Sequence, residues 1–365
     1  MAEQPLNENE QLRVEDLVVR FYTYEGIVKA VEKANLTVRK GETLGIVGET
    51  GSGKSVTGLT IMALTPTPGK VEGGRIYFRK GADDVVDILQ LSELELLRIR
   101  GKEISMIFQE PKAALDPLYT VGEQISEAIL THRLEEMNEK ANKLAATQQR
   151  GNSFLERFSI FKNLQRKRIL NQVVRKEIVE LLKLMEISDP ERVVDAYPHE
   201  LSGGMQQRIV IAIALACNPM LLLADEPTTN LDVTVQAQII DLITRLKRKL
   251  GASIIYITHD MGVIAEISDR VAVMYAGSVV EVAPVMDLFK KPLHPYTSAL
   301  LNSIPKPGSE FISIPGTVPN LVSPPTGCRF HPRCTNATAI CSREIPELKE
   351  VAKDHFVACH NYGGN

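Results

Sequence analysis

Leu44-Gly45-Ile46-Val47-Gly48-Glu49-Thr50-Gly51-Ser52-Gly53-Lys54-Ser55 passes from an apolar strand into a glycine-spaced loop that closes on Lys-Ser. From Gly48 to Ser55 the spacing is G-x-x-x-x-G-K-[ST], the phosphate-loop pattern. Glycines let the backbone N–H groups of Gly48, Glu49, Thr50, Gly51, Ser52 and Gly53 turn inward around a phosphate. The helix beginning near Lys54 adds the positive end of its dipole. Lys54 is placed to neutralise the β- and γ-phosphates, and the Ser55 hydroxyl to ligate Mg2+. A glycine-rich turn without ligand is the bland alternative; strand, motif and helix in that order weigh against it. The loop implies nucleotide binding and leaves the reaction open, because kinases and GTPases share it.

Downstream, Leu221-Leu222-Leu223-Ala224-Asp225-Glu226 reads as a second buried strand, ending on two carboxylates. Asp225 is expected to hold Mg2+ through its water shell. Glu226, pointing differently, is expected to polarise the attacking water. Around these strands, residues 12–21 and 36–47 read as strands and 55–64, 120–131 and 177–186 as helices. From 203 onward the pattern alternates: helix 203–216, strand 220–224, helix 233–250, strand 253–258, helix 261–267, strand 270–275. Such alternation predicts an α/β fold with a mostly parallel sheet flanked by helices.

The bulk numbers fit one large domain plus a smaller one: 365 residues, 44% apolar. A net charge of −3 argues against a broad nucleic-acid-binding face. No stretch approaches the ~18 apolar residues that cross a bilayer; the longest run, Ile209 to Cys217, reads as a buried helix. The opening MAEQPLNENEQ is polar and acidic, without a signal pattern. The chain is therefore expected in the cytoplasm, with any membrane work done through partner chains. Residues 133–176 are polar, and Arg150–Lys176 carries eight basic residues against one acidic. Within it Phe154, Phe158 and Phe161 fall at helical spacing, either packing on their own domain or lying against anionic headgroups or a permease.

Leu201-Ser202-Gly203-Gly204-Met205-Gln206-Gln207-Arg208 resembles the signature sequence of the ABC ATPases, with Met205 where Gln is usual. Ser-Gly-Gly ahead of a long helix is a second anion site. By the resemblance it serves in trans, completing the nucleotide site of another subunit. The remaining ABC elements follow in order: Gln109 as the Q-loop glutamine that touches Mg2+, Asp232 in a D-loop Asn230-Leu231-Asp232, and His259 as the switch histidine. Phe21 stands where the family stacks an aromatic ring on adenine, with Tyr22 and Tyr24 as alternatives. The resemblance implies a P-loop NTPase of ABC type over 12–285, a RecA-like core with an antiparallel β region. It also implies a helical subdomain over about 116–218, in which 133–176 looks like a basic insertion. Glu226 and His259 become the expected catalytic pair, and Ser55, Gln109 and Asp225 the expected Mg2+ ligands.

Residues 286–365 look like the C-terminal extension of oligopeptide/dipeptide importer ATPases: His294-Pro295-Tyr296-Thr297, Gly316-Thr317-Val318-Pro319, then Gly327-Cys328-Arg329-Phe330-His331-Pro332-Arg333-Cys334. Cys328, Cys334, Cys341 and Cys359 follow the spacing C-x5-C-x6-C-x17-C in a proline-rich segment. Four thiolates suit tetrahedral zinc or a [4Fe–4S] cluster, and the wide gaps and the family resemblance lean towards the cluster. The resemblance implies ATP and Mg2+ as cofactors and two transmembrane permease subunits as partners. It implies a second ATPase, more often a related chain than an identical one, an extracellular solute-binding protein indirectly, and no nucleic acid. It places the chain peripherally on the cytoplasmic face of the cell membrane. Di- or oligopeptides are the expected solute, with nickel and short oligosaccharides as alternatives. A soluble ABC ATPase acting on nucleic acid or ribosomes, or an electron-transfer module, would be the competing classes. The first usually carries a long coiled coil or two cassettes in one chain, and the second needs a flavin or second-cluster site.

Overall fold

The structure is a computed structural model that describes residues 6–81, 84–148, 159–229, 231–304 and 314–362. In chain order the first elements are β1 (Glu10–Thr23), β2 (Gly26–Arg39), β3 (Thr43–Val47), α1 (Lys54–Ile61), β4 (Gly69–Arg79), β5 (Val85–Asp87), α2 (Glu93–Ile99) and β6 (Ile104–Ile107). There follow α3 (Pro111–Ala114), α4 (Val121–Gln148), α5 (Ser159–Leu184), α6 (Pro190–Val193), α7 (Gly203–Leu215), β7 (Leu221–Asp225), α8 (Val233–Leu250) and β8 (Ser253–Ile257). The chain closes with α9 (Met261–Ile267), β9 (Arg270–Tyr275), β10 (Ser278–Pro284), α10 (Val285–Lys290), α11 (Pro295–Asn302), β11 (Lys349–Ala352) and β12 (His355–Val357). Two compact units emerge: residues 1–97, 220–226 and 243–365, and residues 98–219 with 227–242.

In the first unit, β3, β7, β8 and β9 are buried along their whole lengths. That explains their near-continuous apolar runs, because a parallel strand covered on both faces has no polar side. β3 pairs in parallel with β8 on one side and β9 on the other, and β8 pairs in parallel with β7. Antiparallel strands then extend the sheet through β10, β12 and β11. Beside it, β2-β1-β4-β5 form an antiparallel sheet. Residues 26–35, which carry no clear signal in sequence, are here the first part of β2, paired with β1 through several register shifts.

The 286–365 segment is part of this unit. β12 pairs with β10, Lys29 N–H donates to the Leu321 carbonyl at 2.9 Å, and Arg329 pairs with Glu32 at 2.9 Å. Short strands, turns and 3-10 segments make up most of it, as its prolines predict.

The second unit is mostly helical. Of the polar stretch 133–176, residues 133–148 lie in α4 and 159–176 in α5, and these two helices pack against one another; 149–158 lie outside the described residues. Arg133 interrupts α4 with φ −122° and ψ 20°, donates to the Ala216 carbonyl at 2.7 Å, and reaches Glu136 and Glu177 at 2.7 and 2.6 Å. Lys140 joins the same two carboxylates at 2.9 Å each. Of the phenylalanine stripe, Phe154 and Phe158 lie outside the described residues, as does the side chain of Phe161. Among the described residues no helix is long and apolar enough to cross a membrane.

Candidate functional site

The phosphate loop springs from the C-terminal end of β3 and feeds α1, the strand-turn-helix order the motif demands. Gly48 has φ 155°, and a Cβ there would meet the Met274 carbonyl oxygen at 2.1 Å, so no other residue fits the start of the loop. Gly53 takes φ 97° as it enters α1, and no side chain caps that helix. Among the described residues its first turn is thus left without a side-chain cap, as a helix N-terminus that receives an anion would be. The Ser52 hydroxyl is buried without a hydrogen-bond partner among the described residues. An orphaned polar atom in the loop is what a phosphate-binding site leaves when its ligand's oxygens are the missing acceptors.

Lys54 is buried, and its ammonium donates to the carbonyls of Gly48 at 2.8 Å and Glu49 at 3.1 Å. Burial holds its pKa below the usual lysine value, while the carboxylates of Glu226, Asp225 and Glu49 pull the other way. The Ser55 hydroxyl donates to Asp225 Oδ1 at 3.0 Å, bringing together two hard oxygen donors. Burial raises the Asp225 carboxyl above its ordinary range, against the pull of Ser55 and Lys54. A carboxylate destabilised in this way gains from a cation, and the oxygen set suits Mg2+.

Glu226 follows directly and adopts φ 44°, in the left-handed region that a non-glycine residue rarely enters. Its N–H is fixed by the Ile257 carbonyl at 2.9 Å, and its Oε1 lies 2.9 Å from His259 Nδ1. The strained backbone turns adjacent carboxylates apart: Asp225 faces Ser55, and Glu226 faces the histidine at the end of β8. The expected catalytic pair and two of the three expected Mg2+ ligands are thus gathered in one unit.

Other expected residues belong to different surroundings. Gln109 is exposed just past β6, in the second unit. Ser202 caps α7, accepting the Met205 N–H at 3.4 Å, with Ser202 and Gly203 exposed and Leu201, Gly204 and Met205 partly so. Asp232 accepts the Val235 N–H at 2.9 Å at the start of α8, an N-cap role; Asn230 lies outside the described residues. Phe21 is half-buried, its ring edge 2.9 Å from where a Cβ on Gly69 would stand. Tyr22 hydrogen-bonds Glu72, and Tyr24 is 98% exposed.

All four C-terminal cysteines line one small cavity together with His294, Phe330 and His331. No three His, Cys, Asp or Glu side chains among the described residues form a group that would hold a metal ion. The geometry therefore gives the convergence of thiols but no ready-made ligand set for zinc or a cluster. Burial favours the neutral thiol at three of them: it pushes Cys328 up to about 11 and raises Cys334 and Cys359.

Residues 31–229, more than half of the chain, match the family described as "ABC transporter". The chain belongs to that family. Residues 280–341 of this ABC chain also match "Oligopeptide/dipeptide transporter, C-terminal region". Among its relatives are the dipeptide transport ATP-binding protein DppD of Bacillus subtilis, 45% identical over 95% of this chain and 93% of that one, and the oligopeptide transport ATP-binding protein OppD of the same organism, 46% identical over 95% and 87%. The probable peptide ABC transporter ATP-binding protein y4tR of Sinorhizobium fredii is 44% identical over 95% and 94%. A solved dimeric ATP-binding cassette in a post-hydrolysis state with ADP and Pi superposes with TM-score 0.55 and 28% identity, covering 75% of this chain and 98% of that one. The ABC chain described here is an ATPase.

Two side chains at the loop are absent from the expected site. Tyr296 and Arg333, both from the C-terminal segment, contact Glu49. Their motifs are visible in the sequence as family markers, but nothing local points from them to the phosphate loop.

Proposed function

We propose that this chain is the ATP-hydrolysing subunit of a peptide importer, coupling hydrolysis to uptake of di- or oligopeptides through membrane permeases. The observation that carries the reading is the union, in one chain, of the Lys54–Ser55–Asp225–Glu226 constellation with a C-terminal segment of oligopeptide/dipeptide-transporter type. In this reading the α1 N-terminus, the Ser52 hydroxyl and Lys54 grip the β- and γ-phosphates. Ser55 and Asp225 would hold Mg2+, joined by Gln109 on the strength of its motif; the ion supplies charge neutralisation on the phosphates. Glu226 accepts the proton of the attacking water, and His259, 2.9 Å from it, holds that carboxylate in place.

The exposed Ser202-Gly203 end of α7 is the surface that would complete the nucleotide site of a second ATPase, by preference a related chain. Two permease subunits, an extracellular binding protein acting through them, and a peripheral position on the cytoplasmic face of the membrane complete the proposal. Phe21 is the proposed adenine-stacking ring. Cys328, Cys334, Cys341 and Cys359 are proposed to hold an iron–sulfur centre rather than zinc, on the family resemblance and on four soft donors that line one cavity.

Reconstitution with co-purified permeases in proteoliposomes tests the reading. MgATP should drive accumulation of a labelled di- or tripeptide, and Glu226→Gln should abolish it. ATP hydrolysis that drives uptake of nickel or a short oligosaccharide but of no peptide would overturn the solute.

A further inference from the structure

The phosphate loop contains a carboxylate, which is electrostatically out of place beside a triphosphate. Glu49 is the second residue of the loop, and its side chain is turned away from the cradle onto Arg333. The contact is two-pronged: Nη1 donates to Oε2 at 2.8 Å and Nη2 to Oε1 at 3.1 Å. Arg333 is itself fixed on three sides. Its Nε donates to the Pro315 carbonyl at 2.8 Å, its Nη1 also reaches the Tyr275 hydroxyl at 3.2 Å, and its guanidinium lies 5.7 Å from the Tyr275 ring centre. The Arg333 side chain is only 5% exposed.

The backbone of Glu49 is held as well. Its N–H donates to the Tyr296 hydroxyl at 2.9 Å, and its carbonyl accepts from Lys54 Nζ at 3.1 Å and from Ser52 N–H at 3.1 Å. Tyr296 is fully buried, packed against Tyr275 and Phe330 with ring centres 4.6 and 5.4 Å away. The loop's second residue is thus clasped from behind by two side chains that lie beyond the 31–229 match, in the C-terminal segment.

A partly buried ion pair such as this one is weak evidence for stability, since desolvation offsets much of its attraction; its stronger effect is to fix geometry. Here it fixes two things at once. It keeps Glu49 from turning towards incoming phosphates, and it cancels a negative charge that would otherwise repel them at short range. We propose that Arg333, with Tyr296, is a positioning residue of the nucleotide site, acting through Glu49 to set the shape and charge of the phosphate loop. The C-terminal segment then forms the back of the ATP cradle, and loading the loop with a triphosphate depends on it. The proposal rests on the nucleotide reading of the loop given above.

The test is equilibrium binding of MgATP to the full chain, with the melting transition recorded for each variant. Arg333→Gln leaves the Glu49 charge uncompensated and should weaken MgATP binding by about tenfold or more. Adding Glu49→Gln to it removes that charge and should restore affinity to within about threefold of wild type. Suppression of this kind, at unchanged melting temperature, is not what a merely structural arginine gives. Arg333→Lys, which keeps the charge but loses the fork, should lose about threefold and serves if Arg333→Gln does not fold. Affinity within twofold of wild type in the Gln variant, or in the Lys variant where only that one folds, would overturn the proposal, as would a loss in Arg333→Gln that Glu49→Gln leaves unrelieved. Lys54→Ala separates the two readings. If it abolishes binding while the Arg333 variants do not change it, the nucleotide site stands and the clasp fails; if the wild-type chain binds no MgATP, both fail.

Discussion

In the proposed function, Lys54 is the residue on which the phosphate grip depends most. Its ammonium is buried and donates to two loop carbonyls, those of Gly48 and Glu49. Lys54→Ala should weaken MgATP binding by about tenfold to a hundredfold, the range for a charge-assisted contact, while leaving the melting temperature nearly unchanged. Unaltered affinity in an equilibrium titration would remove Lys54 from the site. At this scale most of the site was legible in the sequence, because Gly48–Ser55 and Asp225-Glu226 are local patterns whose geometry follows from strand, turn and helix. The Arg333–Glu49 contact was not legible. Its partners stand 284 residues apart, and only the folded sheet brings them together.

Among the elements, the α4–α5 pair shows what composition leaves open. The described parts of the polar, basic stretch, 133–148 and 159–176, lie in two long helices, and some of their charges are cross-paired. Charge density alone does not say whether basic residues face solvent or carboxylates on a neighbouring helix. Arg133 is the central partner, and Arg133→Met would leave Glu136 and Glu177 with Lys140 alone. A loss of about 1–2 kcal/mol is expected in thermal or denaturant unfolding, below the figure for a fully buried pair because Glu136 is partly solvated. The Arg133 guanidinium holds the Glu136 carboxyl down to about 2, from an ordinary 4.5. A depressed acid stabilises the folded state above its unfolded pKa and loses that contribution as pH falls. Acidification from pH 4.5 towards about 2 should therefore lower the wild-type transition more than that of Glu136→Gln. Equal slopes would show that the pair carries no folding energy. The first part of β2 carries no strand signal because Lys29–Asn35 is rich in helix-tolerant residues, and pairing with β1 overrides that tendency.

Across the whole molecule, the α/β core was legible because its parallel strands are continuous apolar runs. The attachment of the C-terminal segment was not, since it rests on scattered contacts such as Arg329–Glu32 and the β10–β12 pairing. The thiol cavity belongs to that segment. Anaerobically purified chain should be brown and carry about four irons and four sulfides, and Cys334→Ser should bleach it and expose residues 314–362 to proteolysis. One zinc per chain in colourless protein would replace the cluster with a single-ion staple, and metal-free protein would leave the cavity a packing feature.

In the proposed function a phosphate-gripping loop and a separate water-activating carboxylate make this chain an ATP-driven motor. Glu226→Gln separates the two functions most directly, in one preparation measured for MgATP affinity and steady-state hydrolysis. Affinity should stay within about threefold of wild type while turnover falls by about a hundredfold or more, because the variant keeps the grip and loses the base. Turnover near the wild-type rate in Glu226→Gln would contradict the account.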